Sequence, residues 1–99
     1  MRKRFPKPRP RAPWRIKKLA LLGEWKIFVT FLDGMSGEVD FKKFLFNPKT
    51  DGTVFESLRE PDEFAKAGLE LGAVTWPNGA DIAPDAMHEE VKKNGRWVL

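Results

Sequence analysis

The chain has one histidine, His88, followed directly by Glu89 and Glu90. Those residue types can share a metal ion or relay a proton. No second imidazole and no cysteine accompany them, which removes closed zinc sites, thiolate nucleophiles, disulfide frameworks and redox pairs together. The carboxylate pairs Asp62-Glu63 and Glu89-Glu90 are adjacent in sequence. On a helix such neighbours splay by about 100°, so helix-dipole complementarity explains them more simply than acid–base work. The glycines lie singly in turns, without a phosphate-cradling loop, and no Ser/His/Asp arrangement is visible. The chain is therefore read as non-enzymatic: no catalytic residue is assigned, and neither a metal nor another cofactor is expected.

The charge distribution points to binding instead. The net charge of +4 divides unevenly: residues 1–18 hold nine Lys and Arg and no acid, and the rest holds nine cations against 14 acids. Prolines at 6, 8, 10 and 13 interrupt the basic run, so it reads as an extended arm over 1–13, neither a signal peptide nor a helical targeting sequence. Arg2, Lys3, Arg4, Lys7, Arg9, Arg11, Arg15, Lys17 and Lys18 are the candidate nucleic-acid contacts, with Phe5 and Trp14 available to stack on bases. About six phosphate contacts would give a log affinity against log salt slope of roughly −5. A solvated tail, and an arm lying on an acidic protein or on its own domain, remain as alternatives. At 41% hydrophobic residues and a mean hydropathy of −0.46, the chain carries no apolar run of membrane-spanning length. No membrane partner is expected, and the cytoplasm is the expected location.

Positioning falls to a single α+β domain over 14–99. Trp25, Ile27, Val29 and Phe31 alternate with less buried positions as a half-buried strand requires. Asp33-Gly34 suits a type I′ hairpin turn, and Met35 to Lys42 returns as the next strand. Trp14 to Leu22 supplies a third, giving a three-stranded antiparallel meander. Asp40 caps a helical turn ending at Asn47-Pro48. Pro61 opens a short helix with Gly68 as its C′ residue. Leu69 to Trp76 reads as one strand with a bulge near Gly72, and Ala80 to Ile82 pairs back as a small hairpin. Pro84 begins a C-terminal helix over Asp85 to Lys93 that Asn94-Gly95 stops.

Three stretches carry a resemblance: Trp76-Pro77-Asn78-Gly79-Ala80-Asp81-Ile82, Val29-Thr30-Phe31-Leu32-Asp33-Gly34, and Val54-Phe55-Glu56-Ser57-Leu58 leading through Pro61 to Phe64. Over roughly Arg15 to Met87 the chain resembles the small bacterial family called domain of unknown function 2442, the first stretch being the most specific. The resemblance implies a small α+β fold, also found as the N-terminal half of a helix-turn-helix protein. It further implies antitoxin-like members that partner a small toxin, and it implies no enzymatic activity. The basic arm departs from the family pattern.

The expected function is thus a protein-interaction domain, possible partner of a cognate toxin, docking through its sheet face or the loop residues Trp76, Asn78, Gly79 and Asp81. Turn chemistry offers those loop residues a purely structural role, with Asp81 bonding backbone amides and Trp76 in the core. The alternative function is an accessory protein of nucleic acid or a ribonucleoprotein, held through the arm.

Overall fold

A computed structural model describes residues 12–99. The first strand, β1 (Ile16–Gly23), pairs antiparallel with β2 (Lys26–Phe31), which pairs antiparallel with β3 (Ser36–Asp40). The meander expected from the alternation is present. A fourth strand that the sequence reading missed, β7 (Arg96–Val98), lies parallel to β3 and gives the order β1-β2-β3-β7. Its three residues are too few for periodicity to show. A second, three-stranded sheet is built from β4 (Gly68–Glu70), β5 (Ala73–Thr75) and β6 (Asp81–Ile82), all antiparallel.

Three turns differ from expectation for backbone reasons. Glu24 and Trp25 sit at φ 52° and 62°, so the two-residue type I′ turn joins β1 to β2 and Trp25 lies outside the strand. At the β2–β3 end, Phe31 and Met35 close a three-residue loop with only Gly34 at positive φ, 92°. The Asp33 carboxylate accepts the Met35 N–H at 3.0 Å, a local bond that holds the wider turn. The third correction falls on Leu69 to Trp76, which is a hairpin: Leu71 and Gly72, at φ 53° and 82°, reverse the chain between β4 and β5. Gly68 correspondingly begins β4 and is not a left-handed helix cap.

The helices are short apart from the last. Lys42–Leu45 forms α1, with the Asp40 carboxylate accepting the Lys42 N–H at 3.0 Å. Pro61–Phe64 forms α2, with Asp62 and Glu63 in its first turn. Single 3-10 turns at Pro48–Thr50 and Glu56–Arg59 lie between them. Pro84–Asn94 forms α3, which ends at Gly95 in the left-handed region, where the Gly95 N–H donates to the Val91 carbonyl at 2.7 Å.

One face of the large sheet is buried. Ile27, Val29, Phe31 and Val39 meet Met87 and Val91 of α3, and Leu45, Leu58, Phe64, Val74 and Trp76 close the same cluster. Each fully buried side chain of this size contributes about 1.5–3 kcal/mol of transfer free energy. Gly37 permits the closest approach, because a Cβ there would lie 2.6 Å from Val91 Cγ1. Among the described residues, no helix is long and apolar enough to cross a membrane.

Candidate docking groove along β1

At the edge of the large sheet, β1 presents eight residues to solvent on one side. The Ile16 N–H donates to the Gly72 carbonyl at 2.9 Å, pinning the start of the strand against the β4–β5 turn. Beyond that bond, no strand among the described residues pairs with this edge. An unpaired strand edge offers a row of N–H and C=O groups ready to take another strand. The side chains here do little to blunt it: Leu21 is 47% exposed and Leu22 50% exposed.

A groove follows this edge, with Pro61 to Leu69 as its opposite wall. At one end, Lys17, Lys18 and Leu19 face Ala67, Gly68 and Leu69. At the other end, Leu21 and Trp25 face Pro61, Phe64 and Ala65 around a hollow of about 260 Å³. That hollow is smaller than the usual cofactor pocket and fits one or two aliphatic side chains. Lys17 and Lys18 are both exposed, so the groove is basic at its first end and apolar at its second.

The apolar end is held by a strained turn. A non-glycine residue in the left-handed region costs of order 1–3 kcal/mol, and here two stand in succession, Glu24 and Trp25. The Trp25 indole N–H donates to the Leu58 carbonyl at 3.1 Å, and its ring meets Phe46 edge-on at 4.9 Å. These contacts hold the indole over the hollow.

The Trp76–Ile82 loop is bound to its own chain. Trp76 is only 4% exposed, and its indole N–H donates to the Phe64 carbonyl at 2.9 Å. Asn78 donates to the Val54 carbonyl and to Ser57 Oγ, each at 2.8 Å, while its own carbonyl accepts the Ala80 N–H. Amide bonding in this turn is thus done by Asn78, whereas Asp81 is exposed. Gly79 supplies the left-handed residue at φ 94°. As a partner anchor, Trp76 is out of reach of a partner, because Phe41 and Phe64 pack around it.

The remaining candidates are dispersed. Arg15 is half-buried with its side chain against Gly72. Arg2, Lys3, Arg4, Lys7, Arg9 and Arg11 lie outside the described residues. The side chain of His88 is 15% exposed, and its Nε2 stands 2.8 Å from the Asp33 carboxylate, tying α3 to the β2–β3 loop rather than joining Glu89 and Glu90. That bond holds the Asp33 carboxyl below the usual carboxylate range, helped by the Met35 N–H. Among the described residues, no three His, Asp or Glu side chains gather as metal ligands would.

Sequence reasoning missed the β1 groove because its far wall is 45 or more residues away, beyond any local pattern. The exposed Leu21-Leu22 pair at the end of a strand was the available signal. No curated protein and no solved structure matches the chain. The family model described as protein of unknown function (DUF2442) matches residues 16–93, a span that takes in both sheets up to β6, the groove and nearly all of α3. The chain therefore belongs to the DUF2442 family.

Proposed function

We propose that this domain is a non-enzymatic protein-interaction module that receives its partner along the free edge of β1. The observation that carries the reading is an eight-residue edge strand with Leu21 and Leu22 half exposed above an apolar hollow. Edge strands left open in this way are used for recognition by strand addition, where backbone bonds give affinity and side-chain pockets give specificity. The partner is a protein of the same cell, and a small cognate toxin is the first to test. Capture from native lysate with the full chain and with Leu21→Lys tests the reading. Leu21 is an exposed edge residue, so the variant should fold, and it should lose the captured protein. Equal recovery with both would overturn the proposal.

A second reading is favoured by the exposure of Lys17 and Lys18, which continue the cationic run of residues 1–11 onto the folded domain. In that reading the arm holds a nucleic acid or ribonucleoprotein. Recovery that is lost on nuclease treatment or on deletion of residues 1–11, and that is indifferent to Leu21→Lys, would select it.

A further inference from the structure

The two ends of the groove differ in chemistry, and that difference narrows the partner. Resting on the interaction reading above, we propose that the groove takes an extended segment of another protein as an added strand. That segment carries a carboxylate side chain at the Lys17–Lys18 end and an aliphatic side chain in the hollow beside Leu21. The hollow at the first end is lined by two lysines and by no acid, so its field favours an anion. The second end is closed by the apolar surfaces of Leu21, Trp25, Pro61 and Phe64.

The spacing follows from strand geometry. Lys18 and Leu21 are three residues apart in the regular part of β1, which is about 10 Å of strand, and side chains three apart point to opposite faces. An added strand therefore needs its carboxylate three positions from its aliphatic residue. This requirement excludes the other occupants on chemical grounds. Residues 1–11 carry six cations and no acid, and their prolines at 6, 8 and 10 lack the N–H a ladder needs. The β1 strand of a second copy has no carboxylate between Ile16 and Gly23.

Amide chemical shifts of the full chain, titrated with synthetic peptides, test the proposal. Ser-Asp-Thr-Val-Leu-Thr-Ser and Ser-Thr-Leu-Val-Thr-Asp-Ser cover the two strand directions, and each is paired with a control bearing lysine for aspartate. One aspartate peptide at millimolar concentration should shift amides of residues 17–22 and 61–69. Its control should bind about threefold to tenfold more weakly, and the Lys17→Glu/Lys18→Glu variant should invert that order. Equal binding of peptide and control, absence of shifts with both aspartate peptides, or concentration-dependent shifts of the same amides in the free protein would each overturn it. The last result would mean that a second copy occupies the edge. Should the peptides fail while Leu21→Lys still loses the captured protein, the peptide chemistry falls and the interaction reading stands. If capture is also indifferent to Leu21→Lys, both fall.

Discussion

Replacing Gly37 with alanine should loosen the seam between the large sheet and α3. The new Cβ would stand 2.6 Å from Val91 Cγ1 and 2.9 Å from the Gly95 carbonyl oxygen, well inside the roughly 3.5–4.0 Å at which carbon contacts become favourable. Neither neighbour gives way easily. Val91 is 2% exposed and β-branched, with one strongly preferred rotamer in a helix. The Gly95 oxygen is backbone, held by the left-handed cap that turns the chain into β7. Overpacking of this kind costs about 1–3 kcal/mol. In a domain this size, each kcal/mol lowers Tm by about 4–8 °C. Urea unfolding and a thermal melt of Gly37→Ala should register that loss. Gly68→Ala, whose Cβ meets nothing within 4 Å, should stay within about 0.5 kcal/mol of the parent. In a Val91→Ala background the same substitution at Gly37 should cost less, because the methyl contacts are gone and only the carbonyl remains. A Gly37→Ala protein as stable as the Gly68→Ala control would refute the close approach of sheet and helix.

Three further outcomes are expected. Thr50→Val should destabilise by about 1–2 kcal/mol in urea unfolding, since the buried hydroxyl donates to the Leu45 and Asn47 carbonyls and accepts from Arg59. Glu24→Asn should raise stability by several tenths of a kcal/mol, because asparagine tolerates the left-handed backbone at φ 52° better than glutamate does; a loss on thermal melting would contradict the strained turn. Asp33 has its carboxyl held down by His88, so its contribution is fully present above the ordinary carboxylate range and is lost as pH falls through the depressed folded value. Asp33→Asn should therefore flatten the acid limb of stability against pH, and parallel limbs for the two proteins would count against the pair.

Local rules found much of this fold. The alternation of Ile27, Val29 and Phe31 and the acidic start and glycine stop of α3 were visible because each depends on neighbours in sequence. Turn positions were harder. Asp33-Gly34 fits the two-residue pattern, yet the Asp33 bond to Met35 holds a longer loop, while the real type I′ turns fall on Glu24-Trp25 and Leu71-Gly72, where residue type argues against them. In those turns tertiary contacts outweigh local preference: Trp25 is fixed by Leu58. The docking groove was illegible for a related reason. Its walls, β1 and residues 61–69, are brought together by the packing of two sheets, and no sequence period relates them. The Trp76–Ile82 loop invites a functional reading, but its aromatic fills the core and its amide bridges Val54 and Ser57.

The central claim is that partners dock on the edge of β1. Residue-resolved amide hydrogen exchange of the domain, free and bound to the protein it captures, tests this most directly. The account expects amides within Lys17–Leu22 to exchange readily in the free domain and to become protected in the complex. Protection confined to the Trp76–Ile82 loop or to α3, with β1 unchanged, would contradict it.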